Sequence, residues 1–255
     1  MELKFYKYHG TGNDFIIINN LDGKYSLLEQ EIKLLCDRHF GIGADGFMEV
    51  LSSNKYDFAM KYYNADGKEG TMCGNGGRCI VMHAYKQGII KQKTTFEAID
   101  GEHRATVENN AVILKMNDVF TYEKRDNSLI VDTGSPHLVK FVKNLKEYPV
   151  EKEGARIRYS SEFPNGINVN FVEMVDNKLM MRTYERGVEA ETLSCGTGTV
   201  AVSIASFLFL EVKSPVTIHA PGGVLEVSFN YTNKGFTDIF LKGPAQFVFE
   251  GKIKL

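Results

Sequence analysis

The tetrapeptide Cys73-Gly74-Asn75-Gly76 returns with one change as Cys195-Gly196-Thr197-Gly198, 122 residues further along a chain of 255. Each copy follows a loop of small polar residues and leads into a stretch of helical length. The first runs from Gly74 or Asn75 to about Gln87, where Gly88 is a C-terminal stop; the second runs from Gly196 or Thr197 to about Phe209. The second is apolar on nearly all sides, the pattern of a helix enclosed by other elements. A repeat at close to half the chain length predicts an α+β fold of two pseudo-symmetric halves, each with a helix wrapped by strands. The polar stretch Asp118 to Asn127 is the natural divide. It separates an N-terminal half, residues 1–117, carrying Cys73, from a C-terminal half, residues 118–244, carrying Cys195.

Outward from the two tetrapeptides, short alternating segments read as strands. Among them are Lys4 to Tyr8, Phe15 to Asn19, Phe58 to Tyr63, Ala111 to Met116, Val169 to Met174, Lys178 to Tyr184, Val224 to Phe229 and Thr237 to Leu241. Turn chemistry such as Asp22-Gly23, Asp100-Gly101, Asn109-Asn110 and Asp176-Asn177 separates them. A further helix is expected after Ser26-Leu27-Leu28-Glu29, which has the spacing of a capping box. Leu28, Ile32, Leu35, Cys36 and His39 would then share one face, with Cys36 as a small core residue.

Composition narrows the function. Thirty basic residues stand against 32 acidic ones, a balance unsuited to electrostatic capture of nucleic acid. Four cysteines are too few for a disulfide scaffold. The longest apolar run, Thr199 to Leu210, falls short of the roughly 20 residues that span a bilayer, so no membrane partner is expected. Met1 to Tyr6 alternates polar and apolar residues and lacks the charged and apolar regions of a secretory signal. A cytoplasmic setting with reduced thiols is the expectation.

Three chemistries compete for the motifs. Gly41-Ile42-Gly43-Ala44-Asp45-Gly46 has the letters of a dinucleotide-binding loop, but a helix precedes it and the strand-like Phe47 to Val50 follows, the reverse of the required order. It reads as a turn. Cys73, Cys79 and His83 could suggest zinc, yet the five-residue gap between the cysteines is too long for a knuckle and no second knuckle exists. A cysteine opening a helix fits better. Backbone N–H groups and the helix dipole there favour a thiolate and can bind a carboxylate. Two such cysteines, one per half, suggest a cleft with a thiol on each side. One thiolate would take a proton from a carbon next to a carboxylate while the opposite thiol returns one, inverting the centre. The helix ends would stabilise the developing negative charge. No metal, flavin or nicotinamide is called for.

Around these residues the chain resembles the diaminopimelate epimerase family, enzymes that interconvert LL- and meso-2,6-diaminopimelate without pyridoxal phosphate. The resemblance runs from His9-Gly10-Thr11-Gly12-Asn13-Asp14-Phe15 through Arg38 to Gly46, Tyr63 to Gly67 and Met72 to Cys79. It continues through Gly134-Ser135-Pro136-His137, Gly166 to Phe171, Tyr184-Glu185-Arg186-Gly187, Glu191 to Gly198 and Pro221-Gly222-Gly223. It implies that each half is a strand barrel around its central helix, with the active site in the cleft between the halves. It also implies that the last strand, about 245–255, returns to the first half. The family's catalytic thiols fall on Cys73 and Cys195. Its helix-terminus carboxylate site falls on Gly74, Asn75, Gly196 and Thr197, and its polar substrate contacts on Asn13, Asn64, Asn168, Glu185 and Arg186. His137 matches an active-site histidine. The implied partner is a small zwitterionic amino acid, with no cofactor. An exposed strand face would suit a homodimer, although no residue marks one.

Each side chain has a plainer reading: Asn64 as a turn residue, His137 as a satisfied core histidine, Glu185 and Arg186 as a solvated pair. Ser135 stands where the family usually has Asn, and Gly46 where some members carry a longer polar side chain; both bear on substrate choice. The alternatives are a racemase of another amino acid such as histidine or lanthionine with the same thiols, a carboxylate-using isomerase of the same fold, and a zinc or thiol-redox module.

Overall fold

The computed structural model describes residues 2–255. They form two compact units: one takes the chain up to Leu114 together with Gly243–Leu255, the other Lys115–Lys242.

In the first unit, β1 (Glu2–Gly10) pairs antiparallel with β2 (Asn13–Asn19), and β2 runs parallel to β3 (Gly46–Leu51). Helix α1 (Glu29–Cys36) makes the crossover between β2 and β3. Next come β4 (Phe58–Asn64), antiparallel to β3, with the two-residue β5 (Glu69–Gly70) on its flank. Helix α2 (Gly74–Lys86) then returns the chain to β6 (Lys93–Ala98), parallel to β4, and on to β7 (Gly101–Glu108) and β8 (Ala111–Lys115). The C-terminal strand Gln246–Lys254 closes on the outer side of β1, with Phe5 opposite Gly251.

The second unit repeats this order. β9 (Tyr122–Arg125) flanks β10 (Ser128–Asp132), which pairs with β11 (Pro136–Phe141). Helix α3 (Val150–Arg158) crosses to β12 (Asn168–Val175), parallel to β11, and β13 (Lys178–Glu185) follows antiparallel with the short β14 (Ala190–Thr192) on its flank. Helix α4 (Gly196–Leu210) leads to β15 (Val216–Ala220), parallel to β13, then β16 (Gly223–Thr232) and β17 (Gly235–Pro244). Strand for strand and helix for helix the two halves match, and Gln246–Lys254 is β18.

Burial explains why α2 and α4 are central. Every residue of α2 from Gly74 to Ala84 is buried, and α2 packs against β1, β2, β3, β7 and β18. In α4 all residues from Gly198 to Ser206 are buried, against β10, β11, β12, β13, β15 and β16. Two hydroxyls on α4 are satisfied within the helix: Thr199 donates to the Cys195 carbonyl and Ser203 to that of Thr199, each at 2.8 Å, while the buried Ser206 hydroxyl finds no partner. Around each helix the alternating strand residues turn inward. Phe15, Ile17, Met48, Phe58 and Phe96 line one interior and Val172, Ile218, Val227 and Leu241 the other, all inaccessible to solvent. Phe47 and the pair Val169 and Phe171 lie on the opposite strand faces, in the clusters under α1 and α3. Burying each such side chain contributes roughly 1.5–3 kcal/mol.

Two local expectations change. Helix α1 begins at Glu29, not at Ser26: Leu28 is its N-cap, and Glu31 accepts the Leu28 backbone N–H at 2.8 Å. The capping carboxylate thus sits two positions later than the Ser26-to-Glu29 spacing implied. Leu28 and His39 are exposed, so the buried face is Ile32, Leu35 and Cys36. Helix α3 was not foreseen. Glu151, Lys152, Glu153, Arg156 and Arg158 dilute its apolar periodicity, and only Val150, Gly154 and Ile157 are buried. Among the described residues no helix is long and apolar enough to cross a membrane.

Candidate active site

Each tetrapeptide places a cysteine at the N-cap of its central helix. Cys73 has extended backbone angles (φ −99°, ψ 151°), and its Sγ accepts the Gly76 backbone N–H at 3.2 Å. A donor aimed at the sulfur favours thiolate over thiol. Cys195 is likewise extended (φ −130°, ψ 117°), but its Sγ lies 3.5 Å from the Thr197 hydroxyl. The last glycine of each tetrapeptide makes room for these contacts. A Cβ on Gly76 would stand 3.2 Å from the Cys73 sulfur, and one on Gly198 would stand 3.3 Å from the Cys195 sulfur and 2.4 Å from Asn170 Oδ1. The sulfur curls over the first helical turn only because position i+3 has no side chain.

The other two cysteines sit in different surroundings. Cys36 and Cys79 are buried, and burial pushes the Cys36 thiol up to about 12 and the Cys79 thiol higher still. Neither is poised to ionise. None of the four is in a disulfide. His83 is also packed away, with its ring between Tyr6 and Tyr8 and its Nε2 2.8 Å from Asn19 Oδ1. The three residues of the zinc reading therefore belong to two environments, the helix terminus for Cys73 and the core for Cys79 and His83.

In the first unit the structure joins Asn13 and Asn75. Asn75 Nδ2 donates to Asn13 Oδ1 at 3.2 Å, and Asn13 Nδ2 donates to Asp45 Oδ2 at 2.8 Å. At the inner end of this chain Arg78 Nη2 donates to Asn75 Oδ1 at 3.0 Å, while Nη1 donates to the Gly74 carbonyl at 3.1 Å. A donor-only guanidinium at one end and an acceptor-only carboxylate at the other fix which way both amides face. Asp45 continues outward to Arg38 and Asp14, and Lys7 bonds Asp14 from beneath at 2.7 Å. Burial opposes ionisation of Asp14, but Arg38 and Lys7 outweigh it and hold the carboxyl well below its ordinary range. Gly41 to Gly46 folds back on the end of α1, with the Ile42 and Gly43 N–H groups on the Leu35 carbonyl, and leads into β3. It is a helix-to-strand turn carrying Asp45. Asn64 ends β4 exposed, and its carbonyl accepts the Gly67 N–H in the turn that follows.

In the second unit, β11, β12 and β13 present the polar set. Asn168 donates through Nδ2 to Ser135 Oγ (2.8 Å) and to the Pro136 carbonyl (3.0 Å), and its Oδ1 accepts the Arg186 backbone N–H at 2.9 Å. Ser135 thus serves as the acceptor that holds Asn168. Arg186 is half-buried, with its Nη1 on the Asn165 carbonyl at 3.3 Å. Glu185 accepts the Thr192 hydroxyl at 2.9 Å. His137 is fully buried. Its Nε2 meets the Thr197 hydroxyl at 2.9 Å, and its Nδ1 meets Asn170 Nδ2 at 3.0 Å. Burial, with the charge of Arg186 second, pushes its pKa down to about 3, so the ring is neutral. Position by position, the structure gathers Asn13, Gly74 and Asn75 at Cys73, and His137 and Thr197 at Cys195, while Asn168, Glu185 and Arg186 sit at the β12–β13 rim.

Sequence reasoning missed Arg78, Asn170 and Thr183. Asn170 had a signal: it lies two residues from Asn168 on one strand and so on the same face. Arg78 had none, since a guanidinium with no solvent exposure is against its usual habit.

The chain matches the family described as diaminopimelate epimerase over residues 5–121 and 129–248. It is 51% identical to the diaminopimelate epimerase of Flavobacterium psychrophilum, covering 98% of this chain and all of that protein. It is 37% identical to that of Aquifex aeolicus, covering 98% of each. Among solved structures it resembles a PhzF-family phenazine biosynthesis protein of Bacillus anthracis, with TM-score 0.81, 16% identity and full coverage of both chains. It also resembles a hydroxyproline epimerase from Agrobacterium vitis, with TM-score 0.71, 13% identity and coverage of 99% and 92%. These two likenesses concern the fold alone. Matched across nearly its whole length, and half-identical to one relative from end to end, the chain belongs to the diaminopimelate epimerase family.

Proposed function

We propose that this protein is a cytoplasmic isomerase that interconverts LL- and meso-2,6-diaminopimelate, a step serving lysine and peptidoglycan precursor synthesis, with Cys73 and Cys195 as its two acid–base groups. The observation that carries the reading is the matched placement of the two cysteines. Each is the N-cap of an enclosed helix, with its sulfur over a glycine-cleared first turn. A thiolate takes the α proton on one face, and the opposite thiol delivers a proton on the other; in the reverse direction the roles exchange. The negative charge that builds on the substrate carboxylate is met by helix N–H groups, Gly74 and Asn75 from α2 and Gly196 and Thr197 from α4.

The remaining residues supply recognition. Arg186 offers a bidentate fork to the distal carboxylate. Glu185 accepts from an ammonium, and Asn13, Asn64 and Asn168 hold the second amino-acid head group. His137 acts from behind Thr197.

Incubating reduced protein with LL-diaminopimelate in D2O should label the α carbon and generate the meso form. Absence of both would refute the assignment. A panel including histidine and lanthionine, compared by kcat/KM, tests substrate choice, with diaminopimelate expected to lead.

A further inference from the structure

An unbroken chain of polar contacts runs inward from Cys195. Its sulfur lies 3.5 Å from Thr197 Oγ1, and that oxygen lies 2.9 Å from His137 Nε2. His137 Nδ1 lies 3.0 Å from Asn170 Nδ2, and Asn170 Oδ1 accepts the Thr183 hydroxyl at 3.0 Å. His137, Asn170 and Thr183 are all buried, Asn170 completely.

The direction of each hydrogen bond follows from one fixed point, the Leu138 carbonyl. It lies 3.3 Å from Asn170 Nδ2 and can only accept, so that atom of Asn170 is the amide nitrogen. The nitrogen also donates to His137 Nδ1, which therefore carries no proton. A neutral imidazole then bears its proton on Nε2 and donates to Thr197 Oγ1. With that oxygen accepting from the ring, its own proton turns to the sulfur. The other tautomer would set an Nδ1–H against an amide N–H, two donors face to face in a dry interior. Gly198 is part of the same arrangement, because any Cβ there would strike Asn170 Oδ1.

We propose that Asn170 and Thr183 are positioning residues that lock His137 in its Nε2–H tautomer and so aim the Thr197 hydroxyl proton at the Cys195 sulfur. This rests on the reading of Cys195 as an acid–base group, but the tautomer lock itself holds whatever the substrate. The result is a donor chain without net charge behind Cys195. Cys73 receives a backbone N–H instead, so the two thiols are held by different means.

The test uses the full-length protein labelled with 15N-histidine, with His137 assigned by comparison with His137→Asn. Ring nitrogen shifts at neutral pH should show protonated Nε2 and bare Nδ1. An Nδ1–H tautomer or an imidazolium would overturn the proposal. Asn170→Asp exchanges the donor for an acceptor of the same shape and should move the ring proton to Nδ1, as amide–carboxylate exchange does to a histidine elsewhere. In a Cys73→Ser background, the pH profile of Cys195 alkylation by iodoacetamide should shift upward in Asn170→Asp by about one pH unit, a roughly tenfold slower reaction near neutrality. Thr183→Val, a gentler change, should shift it the same way by less. Profiles that superimpose in both variants overturn the proposal, and if Asn170→Asp does not fold, Thr183→Val alone decides. Correct tautomer and shifts without diaminopimelate turnover would instead count against the proposed substrate and leave the lock standing.

Discussion

At the scale of single residues, the site depends on what is missing at positions 76 and 198. Glycine in a helix is less favourable than alanine by about 1 kcal/mol, so Gly76→Ala gains propensity while crowding a polarisable sulfur at 3.2 Å. Its thermal midpoint should stay close to the parent's, while Cys73 loses its Gly76 N–H contact and its alkylation rate falls. Gly198→Ala differs, because the new methyl meets a buried amide oxygen at 2.4 Å. It should lose roughly 1–3 kcal/mol of stability, read from urea unfolding, as well as activity. Equal stability of the two variants would contradict this account of Gly198. These glycines were legible in the sequence as part of a repeated tetrapeptide. The partner that makes Gly198 necessary was not, since Asn170 and Gly198 meet only through the β12 and α4 packing.

At the scale of elements, α2 is held by Arg78 as much as by its apolar face. The buried guanidinium ties the first turn of α2 to the β1–β2 turn through Thr11 Oγ1 at 3.3 Å, and it reaches the Pro244 carbonyl just before β18 at 3.5 Å. Burial works against its charge, and it is retained for the acceptors it satisfies. Arg78→Met keeps much of the volume but strands those acceptors. It should cost roughly 2–5 kcal/mol and loosen Asn75 and Asn13, raising KM more than it lowers kcat. A variant with unchanged stability and KM would remove Arg78 from this role. Helix α4 was easy to read from its unbroken apolar run, and α2 from its glycine-bounded ends. Helix α3 was hidden because a surface helix with three buried positions leaves little periodicity. The start of α1 was misjudged because Ser26 and Glu29 have the spacing of a capping box, whereas the carboxylate that caps the helix is Glu31, three residues after Leu28.

At the scale of the whole molecule, the same order of strands and helices occurs twice, and that architecture was foreshadowed by one tetrapeptide repeated with a single change. Pairings such as β11 with β12 and β13 with β15 could not be read ahead, because crossover connections leave no local signal. The interiors of both units hold a neutral histidine. Burial lowers the pKa of His83 to about 4 and that of His137 to about 3, against an ordinary value of 6.5. The unfolded chain therefore binds more protons than the folded one below pH 6.5, and stability is complete above that value and falls as the solution is acidified. At pH 5 each histidine should have withdrawn roughly 2 kcal/mol. Urea midpoints should drop between pH 7 and 5, and His83→Gln should flatten that slope; a slope unaffected by the substitution would contradict the assignment.

The central claim is that inversion needs both thiols, one from each half. Cys73→Ala and Cys195→Ala should each be assayed for conversion of LL- to meso-diaminopimelate and of meso to LL, with circular dichroism confirming the fold. Both variants should lose turnover in both directions by roughly a thousandfold or more, the upper part of the range for a positioned acid or base. Near-normal turnover by either folded variant would contradict the two-thiol mechanism.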